Sequence, residues 1–65
     1  MQDKITLKAA RVIANLTQSE AARMIGVTRD TISNWETGKS SPNVRMFQII
    51  EKVYGVSYDR LNFLP

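Results

Sequence analysis

Apolar residues along this chain recur at three- and four-residue spacing rather than alternating, so the polar positions between them form helical faces. With three glycines and two prolines in 65 residues, chain breakers are few, and most of them mark an end. Five helical segments are expected from these signals. The first runs from Thr6 to Ala14, where Leu7, Ala10 and Ala14 share a face. Asn15 follows as its closing residue, because asparagine tolerates the left-handed region better than most side chains. The second opens at "TQSE": Thr17 with Glu20 three residues on has the spacing of a capping box. Ala21, Ala22 and Ile25 follow, and Gly26 ends it. The third begins after Thr28, an N-cap residue, and ends near Gly38. The fourth is expected to open with Ser41 as cap and Pro42 at the first helical position. Val44, Phe47, Ile50 and Tyr54, with Met46 and Val53, give it a broad apolar face, and Gly55 ends it. The fifth is short, with Ser57 capping Tyr58 to about Phe63 and Leu61 facing inward. Connections this short suit an all-α bundle. Val12 and Ile13 are the untidy pair. They are adjacent and cannot both face one core, so one is expected in solvent or at a contact between chains.

The third segment sits within "GVTRDTISNWETGKSSP", Gly26 to Pro42, and only Ile32 and Trp35 in its middle are apolar. On a wheel of about 100° per residue, Arg29, Asp30, Ser33 and Asn34 fall within one arc of roughly 140°. Thr31, Ile32 and Trp35 fall in the opposite arc. One side is therefore an anchor, and the other presents short or forked hydrogen-bonding groups. Those groups gather at the N-terminal end, where the helix dipole and free amides favour phosphate. Such a helix suits insertion into something polar and negatively charged.

Composition narrows the chemistry. There is no cysteine and no histidine, which removes disulfides, thiolate metal sites, the commonest metal ligand and the usual general base. The six carboxylates are scattered, there is no glycine-rich phosphate loop, and a chain this short has little room for a deep pocket. An enzyme is not expected, nor is a metal or cofactor. Net charge is +3 with a pI near 9.7, a modest excess that points to an anionic partner. No apolar run approaches the roughly 20 residues of a membrane span, and "MQDKIT" lacks the apolar core of a signal peptide. Residues 1–65 are expected to form one intracellular, cytoplasmic domain.

The residues Gln18 to Thr37 resemble the helix-turn-helix of the lambda-repressor and Cro (XRE-like) type. Ala22 stands at the small position where two helices cross, and Gly26 stands in the turn. Ile32 and Trp35 stand at the two apolar positions that seat the second helix. "LTQSEAARMIGVT", "NWETGKSSP" and "VYGVSYDRL" extend the likeness to about Leu7–Leu61. The resemblance implies a compact bundle of five short helices, with the motif at about 18–37 and a recognition helix at about 28–36 that enters the major groove. It further implies that Arg29 pairs with guanine, Asn34 with adenine and Asp30 with cytosine, while Thr28 and Ser33 touch a base or a phosphate. Gln18 matches a glutamine that family members set on backbone phosphate. Lys39, Ser40 and Asn43 line the following loop and are expected on phosphate as well. Arg11 and Glu36 match a buried ion pair of some relatives. Where some relatives carry an arginine just after the loop proline, this chain has Asn43, which weakens the case for minor-groove reading.

Blander readings stand beside these. Trp35 is expected to pack in the core rather than stack on a base. Asp30 caps the helix N-terminus and repels phosphates as readily as it reads a base. Arg45 is ordinary surface as readily as a phosphate contact, and Lys8, Arg23, Lys52 and Arg60 are surface. The resemblance implies a sequence-specific regulator of transcription, a repressor of phage Cro or prophage type. It would bind a near-palindromic double-stranded operator as a homodimer, with Tyr58, Phe63 or Leu64 at the dimer contact. The rival readings are an antitoxin-like or adaptor module of the same fold, marked by a large exposed apolar patch, and a nucleic-acid binder without sequence preference, marked by salt dependence alone.

Overall fold

The structure, a computed structural model, describes residues 4–62. Four α-helices carry the fold: α1 (Leu7–Ile13), α2 (Gln18–Ile25), α3 (Arg29–Thr37) and α4 (Val44–Tyr54). A single 3-10 turn follows at Tyr58–Arg60. Two-residue strands β1 (Ile5–Thr6) and β2 (Leu61–Asn62) pair in parallel, Ile5 opposite Leu61 and Thr6 opposite Asn62.

Each helix starts on a side-chain cap that replaces a missing backbone acceptor. Thr6 accepts from the Ala9 N–H at 3.0 Å. Thr17 and Glu20 form the full reciprocal box, Glu20 N–H to Thr17 Oγ1 at 3.1 Å and Thr17 N–H to Glu20 Oε1 at 2.9 Å. Thr28 accepts from the Thr31 N–H at 3.2 Å. Asn15 closes the first connection at φ 63°, the left-handed conformation its type tolerates.

The fourth helix begins later than expected. Asn43, not Ser41, is its cap: Asn43 Oδ1 accepts from the Met46 N–H at 2.9 Å, so Val44 takes the first helical position and Pro42 lies outside. Asparagine caps as well as serine does, and Pro42 is better used packed into the fold, where it is buried. Val44, expected on the apolar face, is 75% exposed.

The fifth helix is not an α-helix. Ser57 makes no side-chain cap bond; instead the Tyr58 N–H donates to Glu51 Oε2 at 2.6 Å. Leu61 then turns extended, at φ −90° and ψ 135°, to pair with Ile5. Three residues hold the turn before the ladder wins. Phe63 and Leu64, expected at its end and at a dimer contact, lie outside the described residues.

The core comprises Leu7, Ala10, Ala21, Ala22, Ile25, Ile32, Trp35, Ile50, Tyr54 and Leu61. Ile32 and Ile50 are its largest fully buried side chains, each contributing about 1.5–3 kcal/mol of apolar burial. Ala21 and Ala22 place only methyl groups between α2 and its neighbours, and α2 packs most extensively on α3. Val12 and Ile13 are both exposed; α1 buries its other face through Leu7, Ala10 and Arg11.

Candidate nucleic-acid interface

The turn between α2 and α3 is built by backbone geometry. Gly26 sits at φ 93° and its N–H reaches the Ala22 carbonyl at 2.8 Å. The Val27 N–H reaches the same carbonyl at 2.9 Å. A Cβ at Gly26 would meet nothing within 4 Å, so the positive φ, not crowding, calls for glycine there. Thr28 then turns extended and caps α3.

Ile32 and Trp35 seat α3 in the core at 1% and 7% exposure. The tryptophan is a packing residue here. The opposite side carries Arg29 and Asp30, both exposed, and Ser33 and Asn34, half-buried. Neither Arg29 nor Asp30 has a side-chain hydrogen bond or ion pair among the described residues. Asp30 thus does not cap α3. That work falls to Thr28, whose hydroxyl also lies 2.9 Å from Thr31 Oγ1. Ser33 and Asn34 give their backbone carbonyls to the Thr37 hydroxyl, at 3.0 and 3.4 Å.

The helix closes through Gly38 at φ 81°. Its N–H and those of Lys39 and Ser40 converge on the Asn34 carbonyl. Lys39, Ser40 and Asn43 are exposed in the loop that follows. Asn43 has a second duty, since its carbonyl oxygen caps α4.

Below this surface lies a charged cluster. Arg11 of α1 meets Glu36 of α3 in a two-point pair, Nε to Oε2 at 2.6 Å and Nη2 to Oε1 at 3.2 Å. Arg11 Nη1 also donates to the Leu16 carbonyl at 2.8 Å. The two side chains are 9% and 5% exposed, so neither charge faces solvent. The bond to Glu36 holds the Arg11 pKa above its ordinary value, against the opposing effect of burial. Gln18, the first residue of α2, joins them by donating Nε2–H to Glu36 Oε1 at 3.1 Å. Tyr54 is close enough to feel both charges. Burial first, and Glu36 second, push its phenol up to about 12, with Arg11 opposing.

The link from Gln18 to Glu36 is not legible in the sequence. The two are eighteen positions apart, and no periodicity relates them; only the folded motif brings them together. Tyr54 likewise reads as an apolar-face residue, and nothing in its spacing marks it as a neighbour of the ion pair. Among the described residues no cluster of acidic side chains could hold a metal ion, and no helix is long and apolar enough to cross a membrane.

The helix-turn-helix family model matches residues 7–61. Among curated proteins, the chain is 40% identical over 55 residues to the HTH-type transcriptional activator BcrR of Enterococcus faecalis, covering 85% of this chain and 27% of that protein. It is 38% identical over 52 residues to Antitoxin PezA of Streptococcus pneumoniae, covering 80% of this chain and 33% of that one. An uncharacterized HTH-type transcriptional regulator of Methanocaldococcus jannaschii is 39% identical over 56 residues, covering 86% of this chain and 85% of the archaeal protein. The chain thus spans about a quarter to a third of the first two relatives and most of the third. No solved structure matches.

Proposed function

The chain belongs to the helix-turn-helix family of lambda-repressor and Cro (XRE) type, and on that premise we propose that it is a cytoplasmic transcriptional repressor that reads a near-palindromic operator. In this reading α3 enters the major groove. Arg29 takes guanine O6 and N7, Asn34 an adenine and Asp30 a cytosine amine, with Thr28 and Ser33 on a neighbouring base or phosphate. Gln18, Lys39, Ser40 and Asn43 hold backbone phosphates and set the register. Ala22, Gly26, Ile32, Trp35, Arg11 and Glu36 hold the frame. A homodimer places one α3 in each half-site, about one helical turn apart. Repression follows from occupying a promoter.

The observation that carries this reading is the division of labour on α3. Ile32 and Trp35 fix the helix in the core, while Arg29 and Asp30 stand exposed at its N-terminal end with no protein partner among the described residues. Charged side chains held at one end of a rigidly seated helix and left unsatisfied suit an external hydrogen-bonding partner.

The test is selection from a randomised duplex pool at a fixed salt of about 150 mM, where only close charge interactions survive screening. Enrichment of a two-fold symmetric site supports the dimeric reader. Retention without enrichment, falling steeply with salt, removes sequence specificity from the reading.

A second reading, an antitoxin-like or adaptor module, is favoured by the exposed Val12, Ile13 and Met24 and by the likeness to an antitoxin. It requires tight capture of a protein, with DNA binding secondary.

A further inference from the structure

We propose that Glu36 is a positioning residue for DNA contact: neutralised by Arg11, it holds one amide hydrogen of Gln18 and thereby aims the other at a backbone phosphate. The inference rests on the DNA-binding reading above and adds to it a reason for the buried ion pair.

The chemistry of the partners fixes the orientation of Gln18. A carboxylate only accepts hydrogen bonds, so the group facing Glu36 Oε1 at 3.1 Å is the Gln18 amine, not its carbonyl. One of the two Nε2 hydrogens is thereby committed. The second has no partner among the described residues, and Gln18 is half-exposed at the start of α2. A glutamine side chain otherwise loses rotamer freedom on meeting a ligand; here that ordering is already made in the folded protein.

A carboxylate beside a phosphate contact would normally repel it. Glu36 does not carry that penalty, because Arg11 grips both of its oxygens. Arg11 in turn is buried and bonded to the Leu16 carbonyl, so its charge is spent inside the fold and it does not itself reach a ligand. The chain Arg11 to Glu36 to Gln18 holds the Gln18 amide in one orientation through bonds to charged groups, which leaves the remaining Gln18 N–H for an outside acceptor. The same chain ties α1, the first connection, the start of α2 and the end of α3 to one point. The spacing between the phosphate contact and α3 is then set by a side-chain bond as well as by the turn.

The test is a comparison of binding to the duplex selected by the wild-type protein. Gln18→Met removes the amide at constant length and is expected to weaken binding about three- to tenfold, the range of one hydrogen bond. Arg11→Met with Glu36→Leu replaces the whole pair by apolar side chains at unchanged net charge, an exchange that folds tolerate. It is expected to weaken binding by a similar factor, and adding Gln18→Met to it should cost less than twofold more. If Gln18→Met costs the same factor in both backgrounds, or nothing in the wild type, Glu36 does not position Gln18. Nuclear magnetic resonance of the wild-type protein gives a second test that needs no variant. One Gln18 side-chain amide proton should exchange slowly in the free protein, and the other should shift when duplex is added. Two protons that exchange alike and shift alike overturn the inference. Arg29→Ala serves as control. Duplex binding that depends on Arg29 while the Gln18 and ion-pair losses simply add removes this inference and leaves the DNA reading intact. Absence of any duplex binding removes both.

Discussion

Arg11 and Glu36 show what one buried pair does in a chain this small. Removing one partner leaves a charge at less than a tenth exposure, which costs about 3–5 kcal/mol. A core of this size supplies about the same. Arg11→Ala or Glu36→Ala is therefore expected to unfold much of the protein at room temperature, as read by the loss of helical circular dichroism. Resemblance brought these two residues together, whereas nothing in their spacing could add Gln18 or Tyr54 to them. Tyr54 makes the environment measurable. Its phenol is raised from 10 to about 12, so the fold favours the neutral form. That stabilisation is complete below pH 10 and is lost as pH rises toward 12. A Tyr54→Phe variant should lose less stability than the wild type over this interval in denaturant titrations. Equal losses would mean that the Tyr54 phenol has the same pKa folded and unfolded, so that the fold does not raise it.

The elements divide by how local their signals are. Helix ends were largely legible, because caps and left-handed closures act within one turn: Thr17 with Glu20, Thr28, Asn15, Gly26 and Gly55 all stand where the sequence predicts them. The start of α4 was not, since Ser41 and Asn43 are both good caps and the choice depends on where Pro42 packs. Asn43→Ala is accordingly expected to destabilise the protein by about 1 kcal/mol and Ser41→Ala by much less, measured by thermal unfolding. The reverse order would restore the earlier helix start. The β1–β2 ladder was illegible for a plainer reason: two-residue strands carry no alternation, and Ile5 pairs with Leu61 from the opposite end of the described chain. The same ladder replaces the expected fifth helix with a single turn. Of the candidate interface, the split between the buried and polar sides of α3 was readable from the wheel. The loop residues were readable only as exposed polar positions, and Asn43 proved to serve α4 as well.

For the whole molecule, the net charge of +3 is a modest excess, and the proposed reading divides general attraction to phosphate from base reading among different residues. Lys39→Ala should weaken binding to all duplexes alike and flatten the salt dependence by about one phosphate contact. Arg29→Ala should instead act at one place in the sequence. The most direct measurement is therefore a paired selection from the same randomised duplex pool, wild type beside Arg29→Ala, at one salt concentration. If α3 reads bases in the major groove, the wild type enriches a symmetric site with a guanine at a fixed position in each half. The variant should then lose that guanine alone, at about 1–3 kcal/mol, and keep the rest of the site. Identical profiles from the two proteins would contradict the assignment of α3 as the reading helix.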